Sequence, residues 1–432
     1  MNGIFHMAWR NLWRNRRRSL VSIASIAFGL AAVSTFSGYM RAVNNGLANI
    51  AVHSDLTGHL TIYKKGWHTE GKLHPARYLL TGQEIARIRA IVAETAPEAR
   101  IAARLSVMGL ASNGHQSTIF IAGGIAPEDM RMLRGPFGEL EGILSGNNPQ
   151  GVTVASGLAA ILGLKVGDAA SILVSTVHGQ ANAADIDIDA IVNTGNFATN
   201  DKWMVMPLEL AREQMDAEGR AEALTLLLPA REETQPLLGR EAETAMYDLS
   251  PPDDAAMHAL RQRLETAFAG AGLQMDMLTW QEMSPFYTQV RSMWNMMFGL
   301  FLGVVLAIVV LSIANAMGMT VVERTREIGA LRAMGMRRGG VVRLFVSEAV
   351  LLVCIGVAAG FVLTLLTRAG VNALDIRYTP PSLSGDVQLY VGFDPLRTAL
   401  AALALSVLAT FAAFVPARRA AKNPIIVSLG HV

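Results

Sequence analysis

The sequence predicts an α+β membrane protein in which four transmembrane helices carry a large extracytoplasmic α/β domain between the first and second helices. Three observations support this fold class. The 432 residues are 51% hydrophobic and only 17% charged, which is less charge than a soluble domain of this length normally carries. Four apolar runs are long enough to cross a bilayer. A long segment of mixed strand and helix patterns separates the first run from the other three.

The four apolar runs define the predicted spans, at residues 20–43, 291–322, 344–368 and 397–416. The first run follows a basic lead, as the apolar part of a signal peptide does. Its apolar stretch is too long for a signal peptide, however, and no cleavage site with small residues is evident. We therefore interpret it as a retained anchor.

Three basic clusters set the predicted orientation of the spans. They precede the first span (Arg14, Arg16, Arg17 and Arg18), separate the second from the third (Arg324, Arg326, Arg332, Arg337, Arg338 and Arg343), and follow the fourth (Arg418, Arg419 and Lys422). The positive-inside rule places all three clusters in the cytoplasm. This placement is consistent, because two spans separate each cluster from the next. We expect residues 1–19, the loop 323–343 and the tail 417–432 inside, with a short outer loop at 369–396. Because the clusters adjoin apolar runs, they do not indicate nucleic-acid binding.

Residues 44–290 form the predicted extracytoplasmic domain. The first pattern in it is β–α–β: "GHLTIY" is a strand, "QEIARIRAIVAETA" an amphipathic helix and "TIFIAGGI" a second strand. A second such unit runs through "ALTLLLP", a helix with Asp253 as its N-cap, and "LQMDMLTW". Between the two units we expect an inserted, mainly β lobe at about 127–218, with one short helix at 157–162.

Few residues suggest catalysis or metal binding. The sequence has neither a G-x-x-x-x-G-K-[ST] phosphate loop nor an H-E-x-x-H zinc helix. A metal site among the four histidines of one stretch is conceivable, but their spacing matches no compact ligand pattern, so we expect surface histidines. The four are His53, His59, His68 and His74. The single cysteine, Cys354, excludes an intramolecular disulfide.

Four acidic residues have simple expected roles. Asp185, Asp187 and Asp189 alternate with isoleucines, which predicts a solvated strand face, since a calcium loop needs a turn glycine. Glu348 lies one turn inside the third span, where a charge is expensive unless it is paired. We expect a salt bridge from Glu348 to a nearby arginine.

The charged stretch "ERTREIGALRAMG" between the second and third spans predicts a short helix. On that helix Arg324, Glu327, Leu331 and Met334 form one stripe that Ile328 adjoins. Gly335 is a natural helix stop. Such a helix, with apolar side chains and paired charges, suits docking into a groove of another protein. The pattern alone leaves a plain solvated loop open.

A second unusual stretch concentrates methionines where the extracytoplasmic segment leads into the second span. Flexible thioethers suit an adaptable apolar surface, and they equally suit gap-filling in a helix interface. The residues are Met275, Met277, Met283, Met293, Met296 and Met297. Of these, Met283, Met293, Met296 and Met297 are our candidates for a sheltered path for an amphiphilic substrate.

At these residues the chain resembles the permease subunits of ABC transporters of the FtsX-like and MacB-like family. The segment "ERTREIGALRAMG" resembles the family's coupling helix, "PARRAAKNPIIVSL" its closing segment, and "AWRNLWRNRRRS" its lead. The stretch "GYMRAVNNGL…SDLTGHLTIY" is similar to the lipoprotein-release (LolC/LolE-type) branch. The family's outer domain resembles a split two-unit porter lobe with an inserted β lobe, which is the order predicted here.

The resemblance implies a chain without enzymatic activity or a cofactor of its own. ATP and Mg²⁺ would bind a separate ATPase subunit that acts as a dimer and pushes the coupling helix, and the second span would carry the motion outward. The ATPase would contact seven residues: Glu323, Arg324, Glu327, Ile328, Leu331, Arg332 and Met334. The basic lead would form an interfacial helix on the cytoplasmic side, with Trp9 and Trp13 in the headgroup layer.

Two functions are compatible with this resemblance. The first is a permease in the bacterial inner membrane that works with a second permease copy or homologue. It would extract a lipoprotein or another amphiphile from the bilayer and deliver it to a periplasmic or outer-membrane carrier. The alternative is a signalling scaffold that activates a cell-wall hydrolase without transport. The sequence does not separate the two.

Overall fold

The computed structural model describes residues 6–7, 9–11, 16–71, 73–134, 148–194, 199–228, 239–379 and 386–422. The chain divides into two compact units. The helical unit comprises Met1–Ala42, Arg291–Ile376 and Leu389–Val432, and the sheet unit comprises Val43–Val290 and Arg377–Gln388.

Thirteen helices are assigned within the described residues. They are α1 (Arg16–Asn49), α2 (Pro75–Tyr78), α3 (Gly82–Thr95), α4 (Pro127–Arg134), α5 (Ser156–Leu162), α6 (Leu208–Met215), α7 (Gly239–Asp248), α8 (Asp254–Gly270), α9 (Trp280–Met283), α10 (Pro285–Glu323), α11 (Thr325–Ala333), α12 (Arg338–Ala373) and α13 (Pro395–Lys422). Residues 6–7 and 9–11 are also helical, and short π-helical turns lie at Ile50–Ser54 and Trp67–Gly71.

Four of these helices, α1, α10, α12 and α13, are long and apolar enough to cross a membrane, as far as the described residues show. They contain the four predicted spans. The longest, α10, has 39 residues, or about 58 Å at 1.5 Å per residue, against roughly 30 Å for a hydrocarbon core. This helix therefore extends well beyond the length needed to span the bilayer.

Small residues let the helices of the helical unit approach closely. A side chain at Gly356 or Gly360 of α12 would collide with α1, because an added Cβ would lie 2.7 Å from Ile26 Cβ or 2.9 Å from the Ala27 carbonyl oxygen. Helix α1 also contacts α10, where the hydroxyl oxygens of Ser25 on α1 and Ser312 on α10 lie 3.1 Å apart, at hydrogen-bond distance. Such small-residue contacts and interhelical hydrogen bonds are the usual means of helix association in lipid. The first span thus packs against both the second and the third.

The sheet unit is built on nine strands that belong to one sheet. They are β1 (Leu60–Lys64), β2 (Arg100–Ser112), β3 (Ser117–Ile125), β4 (Gly151–Ala155), β5 (Ala169–Ser175), β6 (Ala181–Val192), β7 (Trp203–Pro207), β8 (Ala223–Leu227) and β9 (Met275–Thr279). Their order is β3-β7-β4-β6-β5-β2-β8-β1-β9, with an additional pairing of β3 with β2. A separate two-stranded pair, β10 (Arg377–Tyr378) with β11 (Val387–Gln388), completes the sheet structure of the described residues.

The two β–α–β patterns interleave instead of forming separate units. Strand β8 lies antiparallel between β1 and β2, and β1 lies antiparallel between β8 and β9. The strand that follows α3 in the order β2-β8-β1-β9 is β2, whereas the sequence analysis expected "TIFIAGGI", which is β3. Helices α3 and α8 connect the strands and supply Ile88, Val92, Leu264 and Phe268 to its core. Asp253 caps α8 as predicted, since its side chain accepts a hydrogen bond from the Ala256 N–H.

The inserted lobe is a closed ring of six strands. Strand β3 pairs with β2 on one side and β7 on the other, and β7, β4, β6, β5 and β2 continue the ring. Its inward side chains, among them Val107, Phe120, Ile172 and Ile186, are fully buried. We call this ring the barrel; closure leaves it without free strand edges.

The barrel corrects two expectations about the inserted lobe. The lobe is continuous with the rest of the sheet, because β2 pairs with β8 through Arg100–Arg104 and with β3 from Arg104 onward. It begins within β2, earlier than residue 127. It also contains helices α4 and α6 besides the predicted α5. These features depend on pairing between distant strands, which local patterns do not encode.

Candidate functional site

The predicted short helix between the second and third spans is present as α11. Helix α10 ends at Glu323, a single residue, Arg324, leaves helical geometry with φ −102° and ψ 15°, and α11 runs from Thr325. The helix ends at Ala333, and Gly335 adopts the left-handed conformation at φ +96°, which glycine tolerates without strain. The predicted helix and its glycine stop are confirmed.

The Arg324 side chain holds α11 in place through a network of polar contacts. Its Nε donates to Glu327 Oε2 at 2.8 Å, and its Nη1 donates to Glu348 Oε2 at 3.1 Å. Its guanidinium carbon lies 5.4 Å from the centre of the Phe345 ring. The side chains of Arg324 and Glu348 are only 12% and 5% exposed. This geometry confirms the predicted salt bridge of Glu348 and identifies its partner.

A fourth contact joins the same arginine to the N-terminal segment. With its carboxamide oriented so that the oxygen faces the guanidinium, Asn11 accepts from Arg324 Nη2 at 2.7 Å and from Nη1 at 3.2 Å. The arginine therefore connects the N-terminal segment, the end of α10, helix α11 and helix α12. A buried cation with this many acceptors is stabilised only while they remain in place.

The apolar face of α11 is turned into the helical unit. Ile328 is buried in a cluster with Val341, Phe345 and Ala420, and Leu331 packs against the larger core of the four spans. Both side chains are taken up by contacts within the chain. Ile328, and Arg324 with it, thus offer no free surface to a partner.

The opposite face of α11 is exposed and forms a different stripe from the predicted one. Arg326, Ala330 and Met334 lie at helical spacing and are exposed, Met334 by 77%, and Glu323 at the end of α10 is exposed as well. Glu327 and Arg332 are half-buried at its edge. An exposed methionine next to charged side chains can insert into an apolar pocket while the charges fix its orientation. Of the predicted stripe only Met334 faces outward, and sequence reasoning missed Arg326 and Ala330.

The methionine candidates are not in one environment. Met283 packs against the core of the sheet unit, where the Tyr63 hydroxyl lies 4.0 Å from its sulfur, and Met277 is fully buried in the same core. Met293, Met296 and Met297 lie on α10 and are exposed, Met296 by 71%. The structure thus packs the half-buried Met283 against a core, in keeping with the gap-filling alternative, and leaves three methionines exposed on α10.

Two of the four histidines are buried, against expectation. His53 Nδ1 lies 2.7 Å from the Leu133 carbonyl oxygen, and His59 Nδ1 accepts from the Leu228 N–H at 3.0 Å. Burial, with a smaller contribution from nearby His53, lowers the pKa of His59 to about 3. Burial likewise raises the pKa of Asp55 to about 7, although Arg104 opposes that shift. His68 and His74 are exposed, and the described residues contain no cluster of three or more metal-ligand side chains.

The outer surface of the barrel carries an apolar patch. Met108 lies opposite Ile121, and Leu110 lies opposite both Ile119 and Leu173 on the neighbouring strands. All five side chains are exposed, which is unusual for a surface in water. We call these five residues the barrel patch.

Carboxylates lie beside the barrel patch on β6, which pairs with β5. Asp185 and Asp187 of β6 are exposed as predicted, and Asp189 is half-buried. Ser171 donates to Asp185 at 2.7 Å, and Asn148 donates to Asp187 at 2.9 Å. The register pairs Ser171 with Asp185, two residues along β5 from Leu173. The patch therefore has an acidic border on this side.

Part of the chain matches a known family. Residues 299–425 match the family described as FtsX-like permease C-terminal. These residues include α11, most of α10, all of α12 and all of α13.

Sequence relatives are found among export proteins. The macrolide export ATP-binding/permease protein MacB of Escherichia coli (strain K12) is 33% identical over 149 residues, which are 34% of this chain and 21% of that protein. The pyoverdine export ATP-binding/permease protein PvdT of Pseudomonas entomophila (strain L48) is 35% identical over 113 residues, 24% of this chain and 17% of that protein. The chain thus matches only about a fifth of the length of these curated relatives.

A solved structure also aligns with part of the chain. The periplasmic region of MacB from Actinobacillus actinomycetemcomitans aligns with 55% of this chain and 94% of that region, at a TM-score of 0.32 and 11% identity.

Proposed function

Residues 299–425 of this chain form an FtsX-like permease domain, and we propose that the chain is the membrane subunit of an ABC transporter that exports or extracts an amphiphile. In this proposal a separate ATPase subunit binds ATP and Mg²⁺ and docks on α11. The four spans lie in a bacterial inner membrane with both termini in the cytoplasm, and the sheet unit lies in the periplasm. The basic clusters at the ends of the spans support that orientation.

The observation that carries the proposal is the two-sided character of α11. One face is fixed to the chain through Arg324 and Ile328, and the other presents Met334 and charged neighbours to solvent. A helix that only joined two spans would need neither feature. A helix that receives a push from a partner needs both, because the force must enter at an exposed face and leave through rigid contacts. The proposed ATPase contact accordingly centres on Met334, with Glu323, Glu327 and Arg332 at its edges and Leu331 beneath it.

The network around Arg324 gives that force a route. A displacement of α11 moves Glu327 and Arg324, and the ion pair with Glu348 transfers the motion to α12. The same displacement acts directly on α10, since only Arg324 separates the two helices. At about 58 Å, α10 is long enough to convey motion across the bilayer as one rigid rod. We therefore propose that the chain works by mechanotransmission and that substrate need not pass between the spans.

For the substrate we propose a lipoprotein or another molecule with acyl chains. Moving acyl chains from lipid into water costs roughly 0.8 kcal/mol per CH₂, so a sheltering apolar surface is required. Met293, Met296 and Met297 on α10 are exposed and flexible enough to supply part of it. Met283 is half-buried against the core of the sheet unit, so we leave it out of the proposed path. A second permease copy or a homologue would supply the other side of the path.

The barrel patch supports a periplasmic carrier as a further partner. Apolar side chains at the centre of a surface with carboxylates at its border fit a protein surface that has an apolar centre and a basic edge. We propose that a carrier protein of this chemistry docks on Met108, Leu110 and Ile119 and receives the substrate.

The proposal is tested by copurification of the chain with the proposed ATPase subunit. Met334→Asp places a carboxylate in the proposed apolar contact and should weaken the complex by about 2–4 kcal/mol, or roughly 30-fold or more. Leu374→Asp is the matched control, because Leu374 is also highly exposed, at 71%, and follows the other end of α12. Loss of the ATPase in the first variant alone supports the proposal. Undiminished copurification and ATP turnover in both would refute docking on α11.

A further inference from the structure

A groove of about 530 Å³ lies between the second and fourth spans. Helices α10 and α13 run in the same direction, because Arg397 contacts Asn295 and Phe298 at one end while the groove lies between residues 310–321 and 411–419 towards the other. The helices touch near the start of α13 and leave the groove near the end that carries α11. Its lining includes Gly318, Val415 and Pro416.

Two polar side chains line this otherwise apolar groove. Asn315 lies on α10 in the second span, and Arg419 lies in the last turn of α13. Both are exposed, and neither has a hydrogen-bond or ion-pair partner within the residues that the structure describes. An amide in hydrocarbon without a partner is costly, and a cation between spans near the bilayer surface is a known means of binding anionic headgroups.

The spacing of these two groups matches the head of a glycerophospholipid. The paired contacts of the two helices place Asn315 level with about Val415, so Arg419 lies four residues, or roughly 6 Å, nearer the bilayer surface. A phosphate lies above the ester carbonyls of such a lipid, and the acyl chains lie below. Arg419 can bind the phosphate, the Asn315 amide can donate to an ester carbonyl, and the apolar remainder of the groove can hold acyl chain.

We propose that this groove is a binding site for one anionic glycerophospholipid. The site is distinct from the ATPase contact and from the methionines of the substrate path, and it holds a resident lipid whose negative headgroup is selected by Arg419. Charge complementarity separates this ligand from a zwitterionic lipid, whose amine would be repelled by the same arginine. Under the proposed orientation the lipid belongs to the cytoplasmic leaflet, but binding itself does not depend on the docking of an ATPase.

Native mass spectrometry of the purified full-length chain with an equal mixture of phosphatidylglycerol and phosphatidylcholine tests the site. The wild type should retain one phosphatidylglycerol in preference to phosphatidylcholine. Arg419→Gln should reduce that preference roughly fivefold, the effect of one cation near an anionic lipid. Arg418→Gln is the matched control, since Arg418 is exposed next to Arg419 and does not line the groove. Equal losses in the two variants would show general surface basicity and overturn the proposal.

A second variant separates the groove from the rest of the lipid-facing surface. Gly318 lines the groove, and a Cβ added there meets nothing within 4 Å, so Gly318→Phe can extend a side chain into the groove. It should reduce retention of both lipids, whereas unchanged retention would contradict a lipid in the groove. A transmembrane helix of a second copy is the competing occupant. Disulfide formation between two chains carrying Asn315→Cys, in a Cys354→Ser background, would identify that occupant and overturn the lipid site.

Discussion

The sequence predicted candidate sites in both the charged segment around α11 and the methionine-rich segment. The structure brings the residues of the first together on one element and places those of the second in two environments. All seven residues of the first lie within or next to one helix, and two of them, Arg324 and Glu327, share one network with Glu348. The four methionines of the second are divided between a packed core and an exposed helix face. A motif whose spacing matches one element is brought together by that element. An enrichment in one residue type that runs from one unit into the next does not define a site.

Under the proposed orientation, the sheet unit and α11 lie on opposite sides of the membrane. The largest expected effect is therefore a difference in thiol labelling between the two. In a Cys354→Ser background, Ala183→Cys on exposed β6 should react with a membrane-impermeant thiol reagent in cells permeable only at the outer membrane. Arg337→Cys, next to α11, should stay unlabelled until the inner membrane is opened. Labelling of both cysteines in intact inner membranes would contradict the four-span orientation.

Breaking the Arg324 network should cost more than any change on the exposed face of α11. Arg324→Ala leaves the buried Glu348 carboxylate without its partner and should destabilise the helical unit by about 3–5 kcal/mol. Arg324→Met combined with Glu348→Leu removes both charges and should recover much of that loss. The measurement is unfolding of the purified chain in mixed detergent micelles.

Arg326→Ala is the control for the Arg324 and Glu348 variants, because Arg326 is an exposed arginine on α11. It should change stability by no more than about 0.5 kcal/mol. If the double variant is no more stable than Arg324→Ala, the ion pair does not fix α11, and the proposed transmission route fails.

The loss of stability on replacing a methionine should depend on how far its side chain is buried. Met283→Ala removes side-chain contacts in a core and should lower stability by about 2 kcal/mol. Met296→Ala removes an exposed side chain and should leave stability unchanged within about 0.5 kcal/mol. Photo-crosslinking from position 296 should still capture an amphiphile when the ATPase is stalled. Equal stability losses at the two positions would mean that Met296 is covered by other parts of the assembly.

The buried histidine and aspartate predict a small and unusual dependence of stability on pH. His59 titrates near 3 when folded and near 6.5 when unfolded, so the unfolded chain binds more protons in that window, and acid destabilises the fold. Asp55 titrates near 7 when folded and near 3.8 when unfolded, so the folded chain binds more protons there, and acid stabilises it. Between about pH 4 and 6.5 the two effects nearly cancel.

Single substitutions should expose each slope, up to about 1.4 kcal/mol per pH unit. Asp55→Asn leaves the histidine effect, so stability should fall as the pH falls from 6.5 to 4. His59→Gln leaves the aspartate effect and should reverse the sign. Hydrogen exchange of the Leu228 amide, which donates to His59, measures the local opening. Parallel pH profiles in the two variants would rule out this pairing of opposed shifts.

Local patterns predicted the features that local chemistry determines. The four apolar helices, the Asp253 cap, the Gly335 stop and the outward carboxylates of β6 all follow from residues within a few positions of one another. Even the partner of Glu348 could be predicted as an arginine near the end of a span, because a buried charge there needs one.

The features that sequence reasoning missed depend on distant residues. His53 and His59 are buried because their ring nitrogens meet backbone groups 80 and 169 positions away. The exposed face of α11 is decided by Val341 and Phe345, which cover Ile328 from another helix. The barrel closes through the pairing of β3 with β7, and no periodicity within either strand reveals it.

The most direct test of the account is photo-crosslinking from position 334 in membranes that contain the chain and its ATPase subunit. A photo-reactive residue in place of Met334 should form an adduct with the ATPase, and the yield should change between ATP-bound and nucleotide-free states because the contact transmits force. The same residue at Leu374, exposed at the other end of α12, should form none. Absence of the ATPase adduct at position 334, in a preparation where the two proteins still copurify, would contradict docking on the exposed face of α11.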